Sequence, residues 1–491
     1  AFGTGAYAQG NNSIAAGYNS VASGYSSSAF GDNAQATGDD STALGQDSVA
    51  SGYRSTASGF NAQATGDYGT ASGVNTYASG FDSTAVGYAA RSTGERSIAA
   101  GSNAYAGASY ASAFGNDATA GGESSVAVGD HSHAYGAGDV AIGRNAVANG
   151  SSKYGYSGSA TAVGNNASAT NKYATALGGY ATASGKYATA LGAKSFAGGD
   201  YSTAVGESSR AINTGDTAVG AASYANGYGG SAAAFGGQSY AKGPLAVAAG
   251  FRSFANNEGA TALGAYSSAT GLYSTAVGIG ADASNGGTTA LGVGAVANGY
   301  IATALGADAY AAGDHSIAEG FRSYTSTAAT QGIALGYFAS TSNYAAIAIG
   351  SNATATGISS TALGDTSIAE GDYSLAAGAF AAATGTSSTA VGDSAYDAGQ
   401  QSTAVGSTAL AEGDNSTAVG SAAYAAGLQS SAFGNNANAV GDDSVAVGNG
   451  AYAGGYSSSA FGDGAQALGN DSTALGQLTY ASGYKSTATG Y

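Results

Sequence analysis

Gln401–Gly427 reads QSTAVGSTALAEGDNSTAVGSAAYAAG. A glycine falls at every seventh residue: Gly406, Gly413, Gly420 and Gly427. Two heptads alternate. Ser402–Gly406 and Ser416–Gly420 read Ser-Thr-Ala-Val-Gly, whereas Ala409–Gly413 and Ala423–Gly427 read small-x-Ala-x-Gly. The repeating unit is therefore about fourteen residues, and a repeat of this kind decides the fold before any other signal.

The residues four and two before each glycine are small in both heptads: Ser402 and Ala404, Ala409 and Ala411, Ser416 and Ala418. Strand side chains alternate between faces, so these two positions share one face. The other face carries Thr403 and Val405 in one heptad, and Leu410 and Glu412 or Tyr424 and Ala426 in the next. Period two, then a glycine and a two-residue corner, predicts a short strand and a tight turn. Glycine, or asparagine in its place at Asn171, Asn213, Asn257, Asn285 and Asn343, is expected to supply a left-handed φ there. Glycine every second turn would cost a helix about 1 kcal/mol each time. Two strands and two corners make one coil of a thin all-β parallel solenoid, a β-roll with Ala and Ser inside. The reverse choice would bury Tyr424 and Glu412.

With Ala and Ser inside, the Thr-x-Val face points outward. Along the chain its last position reads Phe30, Leu44, Val86, Phe114, Val128, Ile142, Val163, Leu177, Leu191, Val205, Val219, Val405, Val419, Phe433, Val447 and Leu475. An exposed apolar ladder of this length exceeds what a soluble monomer tolerates. At about 1.5–3 kcal/mol per buried side chain, covering it is worth tens of kcal/mol. The expected cover is further copies of the chain, a trimer or another closed bundle. On the outer strand of the other heptad stand aromatic residues, among them Tyr224, Tyr240, Phe254, Tyr310, Tyr324, Tyr396, Tyr424, Tyr452 and Tyr480. Neighbours one coil apart should stack at ~4.8 Å. This face either stiffens the sheet or serves as a binding face for glycans, proteins or neighbouring fibres.

The 491 residues include 84 Gly, one Pro and no Cys, Met or Trp, with a net charge of −17. A solenoid grows by stacking, so this length reads as a single continuous solenoid over 1–491. About 34 coils at ~4.8 Å would make a rod of about 165 Å. Small insertions are expected near 151–157, 228–231 and 328–332, and Pro244 falls in a corner, where it spares the ladder. Gly24–Gly59 and Gly455–Gly490 match at about 28 of 36 positions. Unsealed, similar ends would let such segments stack head to tail into a filament. The acidic, lysine-poor composition argues against nucleic acid as a partner. No stretch is apolar enough for membrane insertion within this segment.

The heptads Ser125–Gly129, Asp139–Gly143 and Ser444–Gly448, with the small-x-Ala-x-Gly heptads between them, resemble the head repeats of YadA-like trimeric autotransporter adhesins. The resemblance runs along nearly the whole chain. It implies a left-handed β-roll, a homotrimer with the aliphatic ladder facing the threefold axis, and display on a bacterial cell surface or in a secreted fibre. It also implies adhesion to host or matrix surfaces.

Catalysis has little to work with. No catalytic, cofactor-binding or metal-binding residue is assigned. His131 and His133 form the one close histidine pair, and the acids Asp32, Asp39 and Asp40 sit at corners without the spacing of calcium-binding repeats. The expectation is a non-enzymatic structural and adhesive rod. The alternatives are a self-assembling filament subunit, an ice-binding solenoid built on the regular Thr array, and a phage tail fibre.

Overall fold

The computed structural model describes residues 1–150 and 158–491. The expected insertion at 151–157 lies outside them. The chain is an all-β parallel solenoid of about 34 coils, each contributing one strand to a broad sheet and one to a narrow sheet. It divides into two compact units, residues 1–252 and 253–491.

Within each unit every strand pairs in parallel with its counterpart one coil away. In the broad sheet Thr403, Ala404 and Val405 align with Thr417, Ala418 and Val419. In the narrow sheet Leu410 and Ala411 align with Tyr424 and Ala425. A fourteen-residue register sets like on like, so each residue type stacks into a row.

The inside is the small face. Ala404, Ala409, Ala411 and Ala418 are fully buried, as are Ser402 and Ser416. Many interior serines satisfy themselves locally: Ser27, Ser41 and Ser202 donate to the carbonyls of Gly24, Gly38 and Gly199 at 2.7, 2.6 and 2.6 Å.

The corners differ from the expected arrangement. The left-handed residue of each corner is generally the second one after the glycine, such as Thr408 (φ 52°) and Asn415 (φ 58°). A turn with positive φ at its third residue and a bond from Ala409 N–H to Gly406 O (3.2 Å) fits this geometry. The two glycines serve different ends. Gly406 has φ 136°, which side chains rarely adopt, whereas Gly413 has no positive φ. A Cβ on Gly413 would instead meet the carbonyl oxygen of Gly427 at 2.0 Å. Close approach between coils therefore selects glycine there. The five asparagines at glycine positions are accordingly not left-handed. Asn171 and Asn257 donate to the carbonyls of Ser184 and Thr270 in the next coil, at 3.2 and 2.8 Å.

Among the described pairings, three steps from one coil to the next exceed fourteen residues. Val140 aligns with Thr161, Thr217 with Ala233, and Ile317 with Ile333. In the first two, a fully buried aspartate accepts the amides left over. Asp139 accepts from Gly136, Gly150 and Ala160 at 2.6–2.9 Å. Asp216 accepts from Asn213, Gly227 and Ala232 at 2.8–3.1 Å. A buried N–H without a partner is costly, and a carboxylate that accepts several offsets its own burial. In the third long coil a buried threonine takes part instead: Thr325 Oγ1 donates to Ser316 Oγ at 2.8 Å.

Candidate functional site: an apolar row and an aromatic face

The outer row of the broad sheet runs in register from Val405 through Val419, Phe433, Val447 and Phe461 to Leu475. Phe30, Phe114, Leu191 and Phe433 each keep 40% of their surface exposed, with Leu44, Val86, Ile142 and Leu177 close to that value. Val128, Val163, Val205, Val219 and Val447 are partly buried. Polar residues interrupt the row at Ser58 and Ser72 in the first unit and at Glu319 and Thr489 in the second, where Leu305, Glu319 and Leu335 align, and it falls to alanine at Ala100, Ala249 and Ala377.

The outer face of the narrow sheet carries the expected aromatics. Tyr224 and Tyr240 stack with centroids 4.8 Å apart and planes at 8°, and Tyr310 and Tyr324 at 5.5 Å and 12°. In the second unit Phe254, Tyr396, Tyr452 and Tyr480 hold the same position of their heptads, on narrow-sheet strands. Side-chain partners hold several of the phenols. Asn226 Nδ2 donates to the Tyr224 hydroxyl at 3.0 Å, and Asn298 Nδ2 to that of Tyr310 at 3.1 Å. Tyr424 donates to Glu412 Oε2 at 2.6 Å, and this bond, with burial, raises its pKa. Burial beside Tyr224 raises that of Tyr240.

Stacked rings lie face to face, so they present edges outward. They can stiffen the sheet and offer hydroxyls to a partner, but each pair hides the faces it shares.

A second set of aromatics occupies corners, where strand-based reading does not look. Tyr173, Tyr187 and Tyr201 stack at 4.9 and 5.0 Å. Tyr53, Tyr68 and Phe81 meet edge to face at 5.5 and 5.4 Å, with the Arg54 guanidinium 5.0 Å from the Tyr53 ring centre. The legible signal was Gly-x-Tyr, as in Gly185-Lys186-Tyr187.

Acidic corner residues have a structural task. Asp32, Asp39, Asp67 and Asp414 accept the backbone N–H of the matching residue one coil earlier, at 2.8–3.2 Å. His131 lies 2.9 Å from Asp130, both exposed, and 3.4 Å from the partly buried Asp117. Bonds from Asn116 and His131 lower the Asp130 pKa. Burial, then the neighbouring His131, lowers that of His133, which stacks on Tyr135. Among the described residues no group of three or more His, Cys, Asp or Glu is placed to hold a metal ion. None of their helices is long and apolar enough to cross a membrane.

The model of the YadA head domain repeat matches from residues 1–20 to 467–491 and covers most of the chain between. The chain belongs to the YadA head-repeat family. No curated protein matches it. The family matches pause at 133–157, 210–240, 324–327 and 382–397. The first three pauses fall at the lengthened coils, and the fourth contains Asp397, an acid where the repeat has alanine. YadA head repeats thus account for the regular coils, and the departures mark what is particular to this chain.

Proposed function

We propose that the chain is a non-enzymatic structural and adhesive head segment of a trimeric adhesin, displayed outside a bacterial cell. In this reading three copies turn their broad sheets toward a common axis, and the narrow-sheet aromatics face outward to host or matrix surfaces. Membership of the YadA head-repeat family supports it. The observation that carries it is the apolar row, in register coil after coil, whose larger side chains such as Phe30, Leu191 and Phe433 stay 40% exposed in a single chain while valines such as Val405 and Val419 are partly buried. Completing the burial of each such side chain would gain roughly 1–2 kcal/mol, which over a unit far exceeds the cost of association.

Replacing Val405, Val419 and Phe433 together with Asp tests this. The substitutions point outward and leave the alanine interior intact. The variant should keep its β-sheet circular dichroism while losing its oligomer on size exclusion. An unchanged oligomer would refute the assignment of the interface to this row. Tyr224→Ala and Tyr240→Ala, made in the intact oligomer, should weaken attachment to matrix-coated surfaces if this stretch of the aromatic face carries adhesion. Unchanged attachment would remove that role from it.

A further inference from the structure

At the second lengthened coil the corner opens into a cleft of about 440 Å³ lined by Asn213, Thr214, Gly227, Gly229, Gly230 and Ser231. Its base is held by the buried Asp216 carboxylate, which accepts the amides of Asn213, Gly227 and Ala232. A site fixed in this way loses little freedom when it is filled. One coil earlier on the same corner stands Tyr201, the end of the Tyr173–Tyr187–Tyr201 stack. Tyr187 covers one face of its ring. The equivalent position toward the cleft is Gly215, which has no side chain to cover the other. Tyr201 is 63% exposed, and Tyr228, on the inserted loop, is 83% exposed.

We infer that this cleft binds a neutral glycan chain, one pyranose against the open face of Tyr201 and the next units along the corner. The lining residues carry no charge: an amide, two hydroxyls and glycine backbone, whose polar atoms suit sugar hydroxyls. Aromatic faces suit the apolar face of a pyranose. The volume falls at the lower end of small-ligand clefts, enough for one or two rings. A peptide adding to a strand edge finds none at a corner. The two lengthened coils whose extra residues are described put them after the narrow strand. An interface on the broad sheet would leave that edge open. The inference depends on neither the trimer nor the outer tyrosine face.

The test is calorimetric titration of the full chain with chitohexaose, cellohexaose and maltohexaose, and with a hyaluronan hexasaccharide as the acidic comparison. At least one neutral hexasaccharide should saturate a single site per chain. Tyr201→Ala should weaken it by about three- to tenfold, the size of one lost aromatic face. Tyr187→Ala, whose ring is covered by both neighbours, should change affinity less than about twofold. Circular dichroism of each variant should match the parent. Failure of every neutral probe to bind at ~10 mM, binding of the acidic probe alone, or binding indifferent to Tyr201→Ala overturns the inference. None of these outcomes bears on the apolar row.

Discussion

Asp397 should make one stretch of the second unit weaken as pH rises. It occupies an interior position of the narrow sheet, fully buried, aligned with Ala383 and Ala411 on either side. Neither neighbour can carry charge. Its partners are Ser402 Oγ and the Thr389 N–H, the latter at 3.0 Å, together with the amides of Ala404 and Gly399. Ser402 Oγ also lies 2.6 Å from Gly399 O, the bond that interior serines make elsewhere. A hydroxyl has one proton. If it goes to Gly399, the contact with Asp397 is made by a proton on the carboxyl. Burial agrees, since it pushes the Asp397 pKa up to about 6 against the opposing hydrogen bonds. An unfolded Asp titrates near ~3.9. The folded pKa is the higher, so the contribution is fully present below about pH 4 and is lost as pH rises through about 6. Its size is roughly 2–3 kcal/mol. Asp397→Asn places an amide donor where the protonated carboxyl stood and cannot titrate. Hydrogen exchange through Thr389–Ala411 should be compared between parent and variant at each pH, so that intrinsic exchange cancels. At pH 4 their protection should agree. At pH 7.5 the variant should be protected about 30- to 150-fold more. A ratio that stays constant from pH 4 to pH 7.5 would refute the reasoning.

Two further substitutions probe the repeat itself. Glu319→Leu fills the gap in the apolar row between Leu305 and Leu335 and should raise the denaturant midpoint for dissociation of the oligomer; a lower midpoint would place Glu319 outside the interface. Gly413→Ala drives a methyl against Gly427 O and should cost more than about 3 kcal/mol, whereas Gly450→Ala, with open space around it and only a left-handed φ to strain, should cost about 1 kcal/mol. Thermal melting of the two variants compares them directly, and equal losses would contradict close coil approach as the reason for glycine at position 413.

The coil was legible because fourteen residues repeat in register. Small residues four and two before each glycine fix the inside at Ser402 and Ala404, and the same rule leaves Val405 and Tyr424 outside. The corners were not legible in the same way. A left-handed residue is normally sought at glycine or asparagine, yet these corners place Tyr187, Ile301 and Thr408 there. The coil-to-coil bond of their own amide, such as Thr408 N–H to Asp393 O at 2.8 Å, helps hold that conformation. The buried acids were hidden for a different reason. Asp139 and Asp216 stand where the heptad ordinarily has Ser, and only the missing amide partners of a lengthened coil explain them. The cleft by Tyr228 follows from the same two extra residues. The sequence marks these as an insertion but does not show what they enclose.

The account rests on the apolar row being covered by copies of the same chain. Sedimentation equilibrium on the unmodified protein measures this most directly. The account predicts a single species of three times 46.4 kDa that persists on dilution. A stable, monodisperse species of 46.4 kDa would contradict it.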